Sequence, residues 1–208
     1  MEKKFAMNKN TSESLSSLLF GLILAGGKSM RMGFDKGSID YHGKPQYDYL
    51  FDLLGKYCSR VFTSCKKTNV IPERRNPLPD QFQIDSPLNG VLSAFQFNKD
   101  VAWLTVPVDM PMIDDAIIEF LFAHRDESKT ATCFYDSEGK NPEPLFTIWE
   151  PSASDELLQF YNAGKISPRD FLKQANTNII SVPDTRSLLN INSEEEWKQF
   201  KKDQSQLS

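Results

Sequence analysis

Cysteine and histidine are scarce in this chain. Cys58, Cys65 and Cys133 are odd in number and form no Cys-x-x-Cys pair, so neither a disulfide framework nor a thiolate zinc centre is expected, and a reducing cytoplasm is the default compartment. His42 and His124 have no metal-ligand company and read as surface or helix-end residues. A basic excess is missing too: a net charge of -4 and a pI near 5.3 do not provide the positive surface of a general nucleic-acid binder. No stretch approaches the roughly 18 to 20 continuous apolar residues of a membrane span. Repeats and low-complexity linkers are also absent, and 208 residues fit one domain with a sizeable core. The hydrophobic share is only 39%, but 15 Phe and 3 Trp keep the apolar volume up.

What the chain does have is concentrated between Leu18 and Lys36, LLFGLILAGGKSMRMGFDK. An apolar run of strand length, Leu18 to Ala25, stops at Gly26-Gly27 and becomes a loop carrying Lys28, Arg31, Gly33 and Lys36. Paired glycines let backbone N–H groups approach a polyphosphate, and the lysines and arginine supply countercharge, so the stretch reads as a strand feeding a phosphate cradle. Its spacing matches neither G-x-x-x-x-G-K-[ST] nor G-x-G-x-x-G, and taken alone Gly-Gly after a strand is more often a tight turn. Lys3, Lys4 and Lys9 ahead of Leu15 to Ala25 allow a secretory-signal reading, but polar Asn10 to Ser17 interrupts that pattern, and cleavage there would remove the strand that positions the glycines. Residues 1–17 are therefore read as a flexible tail and 18–208 as a single domain.

Beyond the loop, Ser38 to Tyr41 alternates like a short strand, and His42-Gly43-Lys44-Pro45 is a turn opening a helix at Gln46 to Lys56. Arg60 to Cys65 returns as a strand, Lys66 to Pro79 reads as a solvated loop, and Ser86-Pro87-Leu88-Asn89-Gly90 leads into a helix ending near Asn98. Val101 to Val108 is apolar without alternation, which suits a central parallel strand, and it ends in Asp109-Met110-Pro111. A carboxylate at that end faces the crevice where open α/β sheets bind ligands; equally, Asp109 could cap the helix expected at Met112 to His124. Strands are expected at Lys129 to Tyr135, Glu143 to Trp149, Thr177 to Val182 and Ser187 to Ile191. Helices are expected from Pro151 to Tyr161, from Arg169 to Ala175 behind a Ser167-Pro168 cap, and from a Ser193 to Glu196 capping box to Lys202. The alternation predicts a three-layer α/β/α fold with a mostly parallel sheet.

Leu24-Ala25-Gly26-Gly27, Arg31-Met32-Gly33, Asp35-Lys36, Gly43-Lys44-Pro45, Pro87-Leu88-x-Gly90, Val106 to Pro111 and Asn190-Ile191-Asn192-Ser193 occur in the order seen in the MobA-like nucleotidyltransferases. Within that family the pattern is most similar to the molybdenum cofactor guanylyltransferases. The resemblance implies a Rossmann-like nucleotidyltransferase fold. It also implies transfer of GMP from GTP to molybdenum-molybdopterin, with Mg²⁺ and release of pyrophosphate. Leu24, Ala25, Gly26 and Gly27 would hold the nucleotide, Lys36 and Arg31 its phosphates, and Asp109 the metal. The base-contacting aspartate has two candidates, Asp80 and Asp85, with the spacing favouring Asp80. Cys65 stands where the guanylyltransferases often carry Asn, and Ser86 replaces the first glycine of the Pro-Leu turn. On the acceptor side the resemblance points to Asn190, Asn192, Ser167 and Arg169, with Lys165 as another candidate for the basic position. Partners implied are GTP, a molybdopterin-type acceptor, cofactor-synthesis proteins and apo-molybdoenzymes, with no nucleic acid and no membrane. Alternatives in the same fold are a cytidylyl or a sugar-phosphate nucleotidyltransferase, and outside catalysis a nucleotide-binding module.

Overall fold

A computed structural model describes residues 18–25, 36–66 and 71–206, which form a seven-stranded sheet with helices on both faces. The elements are β1 (Leu19–Leu24), α1 (Gln46–Leu54), β2 (Arg60–Cys65), β3 (Pro77–Pro79), α2 (Leu88–Phe97), β4 (Ala102–Pro107), α3 (Asp115–Ala123), β5 (Ala131–Tyr135), β6 (Pro142–Trp149), α4 (Ala153–Asn162), α5 (Pro168–Gln174), β7 (Thr177–Ile180) and α6 (Glu194–Gln206). Strand order is β3-β2-β1-β4-β6-β5-β7. All neighbours are parallel except β6, which runs antiparallel to both β4 and β5.

Period-two alternation divides the core between the faces. In β1, Leu19 and Ile23 join α1 and α3 through Leu50, Leu54, Ile117 and Leu121, while Phe20, Leu22 and Leu24 join α2, α4 and α5 through Leu92, Leu157 and Phe171. Every residue of β1 and β4 is buried. That is the condition of central strands covered on both sides, and it explains why their sequences read as unbroken apolar runs. The fold is therefore the α/β/α sandwich the alternation predicted.

Three local expectations change. Ser38 to Tyr41 is not a strand: Lys36 to Ser38 form a 3-10 turn, and the extended geometry beyond is a lone bridge between Asp40 and Pro45. The loop expected from Lys66 to Pro79 contains an edge strand, β3, paired with β2 from Thr63↔Pro77 to Cys65↔Pro79. Two prolines are tolerated there because an edge strand leaves one row of its hydrogen-bonding groups unused. Arg75 is not merely solvated, since it pairs with Asp48 at 2.9 Å and lies over the Tyr47 ring. The stretch expected as a strand near Ser187 is a 3-10 turn, Thr185–Leu188, capped by the Asp184 side chain. Gly26, Gly27 and Arg31 lie outside the described residues, as does the tail at 1–17.

Candidate active site

Parallel pairing of β1 with β4, from Leu19↔Ala102 to Leu24↔Pro107, brings the carboxyl ends of both strands to one edge. Asp109 follows two residues beyond β4. The alternative role of Asp109 as a helix cap is excluded: α3 starts later, and Asp114 accepts the Ile117 N–H in the capping position. Asp109 is instead tied to the chain's far end, its carbonyl accepting the Ile191 N–H at 2.8 Å. That bond draws Asn192 in, and Lys36 Nζ then reaches Asn192 Oδ1 at 2.8 Å and Asp109 Oδ2 at 3.5 Å. Residues 156 and 73 positions apart from Lys36 thus meet at one ammonium group.

The other carboxylate oxygen of Asp109, Oδ1, is buried and has no hydrogen-bond partner among the described residues. Burial pushes the Asp109 carboxyl above its ordinary range, with the Lys36 charge pulling part of the way back. An unpartnered carboxylate oxygen at the carboxyl end of a central strand suits a hard dication such as Mg²⁺, which takes one or two protein carboxylates and completes its shell with waters and phosphate oxygens. Among the described residues no group of three or more His, Cys, Asp or Glu could hold a metal by itself. Tyr41 also belongs to this surrounding: its hydroxyl is buried with no partner among the described residues, and burial, then the Asp109 charge, push it up to about 12.

A second cluster lies at the ends of β1 and β2. Leu24, Ala25 and Cys65 are buried there. The Cys65 carbonyl accepts the Asp80 N–H at 2.8 Å, and Ser64 Oγ donates to Asp80 Oδ1 at 3.4 Å. α2 closes in so tightly that a Cβ on Gly90 would stand 2.7 Å from Ser64 Oγ and 3.0 Å from Leu24 Cδ2, so a side chain there would displace the Ser64 hydroxyl. Burial raises the Asp80 carboxyl, while Ser64 and Lys66 lower it; burial, then Asp80, raises the Cys65 thiol. Asp85 is exposed and pairs with Lys66 at 3.1 Å. Of the two aspartates, only Asp80 is built against the strand ends.

The acceptor-side residues are divided. Both asparagines are exposed, but only Asn192 is bonded to Lys36 among the described residues. Ser167 spends its oxygen capping α5, accepting the Asp170 N–H at 3.2 Å. Arg169, in the first turn of α5, faces Glu143 of β6 at 4.0 Å. Ser86, in place of the turn glycine, donates to the Ile166 carbonyl at 2.6 Å and ties this segment to the start of α2. Tyr41, Ser64 and Glu143 escape sequence reasoning, because each lies in an ordinary turn or apolar strand without a local signal.

Residues 21–179 match the family model of the MobA-like NTP transferase domain. A molybdenum cofactor biosynthesis bifunctional protein of Synechocystis sp. is 34% identical over 185 residues, covering 88% of this chain; the chain spans about half of that relative's length, 53%. A molybdenum cofactor guanylyltransferase of Ectopseudomonas mendocina is 26% identical, with 84% of this chain and 87% of the relative covered. Among solved structures, molybdopterin-guanine dinucleotide biosynthesis protein A from Archaeoglobus fulgidus superposes with a TM-score of 0.71 at 18% identity, covering 90% of this chain and 99% of that one. The 2-C-methyl-D-erythritol 4-phosphate cytidylyltransferase of Thermus thermophilus gives 0.65 at 7% identity, with 88% and 98% covered. Both likenesses concern the fold.

Proposed function

The chain belongs to the MobA-like NTP transferase family and is a nucleotidyltransferase, and from that premise we propose that it transfers GMP from GTP to molybdenum-molybdopterin, releasing pyrophosphate. The observation that carries the reading is the convergence of Lys36, Asn192 and Asp109 at the carboxyl end of β4, with Asp109 Oδ1 buried and unpartnered among the described residues. Nucleotidyl transfer asks little covalent chemistry of the protein, so catalysis rests on in-line positioning and on charge placed where it develops. Lys36 would neutralise nucleotide phosphates, held in place by the Asn192 amide. Asp109 would hold Mg²⁺, which when bound supplies charge neutralisation at phosphate oxygens. Leu24, Ala25, Cys65 and Asp80 would form the wall for ribose and base, and Gly26, Gly27 and Arg31 the phosphate loop. Asn190, Asn192, Ser167 and Arg169 would line the acceptor side.

A second reading, cytidylyl transfer, is left open by one residue: β2 ends in Cys65, whose thiol is a weaker hydrogen-bonding group than the amide the guanine reading calls for. The test is thermal stability against GTP, CTP, UTP, ATP and dTTP, each with and without Mg²⁺. A ligand bound only to the native state raises apparent stability by about 2.7 kcal/mol at a hundredfold over its dissociation constant. A shift with GTP alone, enlarged by Mg²⁺, is expected; a shift with CTP alone replaces the guanylyl reading, and no shift with any nucleotide removes both. The residue range 18–208 is proposed to act as one domain in the cytoplasm, where cofactor-synthesis proteins and apo-molybdoenzymes would be its partners. Among the described residues, no helix is long and apolar enough to cross a membrane.

A further inference from the structure

Glu143 is a buried carboxylate with no task in the reading above, only 6% exposed at the start of β6. β6 runs antiparallel beside β4 with Trp103 opposite Trp149 and Thr105 opposite Thr147, and continuing that register sets Glu143 level with Asp109. The strand start is held firmly, since Thr147 Oγ1 donates to the Glu143 carbonyl at 2.9 Å. One side-chain oxygen, Oε1, accepts the Leu145 N–H at 3.0 Å. The other, Oε2, is 4.0 Å from Arg169 Nη2, an ion-pair distance too long for a hydrogen bond. Burial raises the Glu143 carboxyl, and the neighbouring Asp109 and Asp136 charges add to that against Leu145 N–H and Arg169.

Arg169 is the more accessible member of the pair, its side chain 42% exposed against 8% for Glu143. Its Nε is nevertheless buried and has no partner among the described residues. The segment leading to it is anchored through Ser86 to the start of α2. The guanidinium therefore stands beside Glu143, at the strand edge that the continued register of β4 and β6 shares with Asp109. An anion entering here meets a buried carboxylate that would repel it and a guanidinium that makes no close hydrogen bond among the described residues, although the Asp136 charge also reaches it.

We propose that Glu143 and Arg169 form the binding site for the acceptor's phosphomonoester, in which Glu143 is a positioning residue that neutralises the guanidinium until a phosphate takes it over. The exchange is of one ion pair for another, with no covalent step. It makes the site selective, because a ligand must supply enough charge to displace a fixed carboxylate, and a neutral or weakly charged group does not. The location rests on the nucleotidyl-transfer reading, while the pair itself does not.

The probe is inorganic phosphate, titrated calorimetrically into the full chain with and without GTP and Mg²⁺, which fill the nucleotide's own phosphate sites. Arg169→Gln is expected to weaken phosphate binding at least tenfold. Glu143→Gln keeps an acceptor for Leu145 N–H but removes the charge, and is expected to tighten binding several-fold. The double variant is expected to bind phosphate more tightly than Arg169→Gln alone, because the unpaired carboxylate is gone. A merely structural Glu143 predicts the reverse order, with the double variant worst. Weaker binding in Glu143→Gln, no recovery in the double variant, or wild-type phosphate binding indifferent to Arg169 overturns the proposal; should Glu143→Gln fail to fold, the Arg169→Gln comparison decides alone. Phosphate binding that depends on the pair in a protein that ignores GTP would leave this site standing and remove the nucleotide reading; a GTP response with no effect of either substitution does the opposite.

Discussion

Asp109 carries a cost in stability that its position imposes. Its folded-state carboxyl is raised above the ordinary range by burial, so the folded chain binds this proton more tightly than the unfolded chain does. The ionised form therefore opposes folding at neutral pH, and the opposition disappears as pH falls through the raised value. Asp109→Asn is expected to raise the melting temperature at pH 7 without Mg²⁺, and the gap to wild type should close on acidification; a lower melting temperature at pH 7 would contradict this. The same substitution should lower kcat by orders of magnitude while changing GTP affinity far less, since its charge matters most where charge develops. A paired test separates the two other aspartates. Asp80→Ala should diminish the thermal shift given by GTP, whereas exposed Asp85→Ala should leave it and the stability within about 0.5 kcal/mol. Asp109 was legible in the sequence because it ends the apolar run Val101 to Val108. Its rival role as a cap could be dismissed only once Asp114 was seen to fill it. Glu143 was not legible, since nothing in an apolar strand shows that it runs antiparallel and so returns its first residues to the active edge.

The terminal segment shows how an element far along the chain reaches the site. Ser193 Oγ accepts the Glu196 N–H at 3.1 Å, and Glu196 Oε2 in turn accepts the Ser193 N–H at 3.3 Å and the Asn192 N–H at 2.5 Å. This capping box, readable from Ser-x-x-Glu, fixes the backbone of the residue that holds Lys36. Ser193→Ala is expected to cost about 1 kcal/mol of stability. Glu196→Ala should in addition lower kcat, because Asn192 loses its backbone anchor; unchanged kcat would uncouple α6 from the site. At the other wall, Gly90→Ala would set a methyl group against Ser64 Oγ and Leu24, and is expected to raise KM for the nucleotide more than it lowers kcat. The edge strand β3 was hidden from sequence reading by its two prolines, which argue for a loop unless the pairing partner is known. The 3-10 turn at Lys36 was hidden for a related reason: alternation over four residues carries too little pattern to separate a strand from a turn.

Across the whole molecule, the order and type of the long elements followed from unbroken apolar runs for β1 and β4, which are buried on both faces, and from helical spacing, caps and turns elsewhere. What period cannot supply is the direction of β6, and that direction decides which side chains from the second half of the sheet face the crevice. A protein of net charge -4 gathers Lys36 and Arg169 toward one edge, beside Asp109 and Glu143. Such a balance suits a ligand whose phosphates must be held and then released rather than a permanently basic surface. The central claim is tested most directly by following the α-phosphate. GTP labelled at that position is incubated with the protein, Mg²⁺ and molybdenum-molybdopterin, and the label is traced among GTP, free GMP and the acceptor. Label transferred to the acceptor with stoichiometric pyrophosphate, abolished by chelating Mg²⁺ and in Asp109→Asn, is the predicted result. Label that stays in GTP under conditions where GTP is shown to bind would contradict the account.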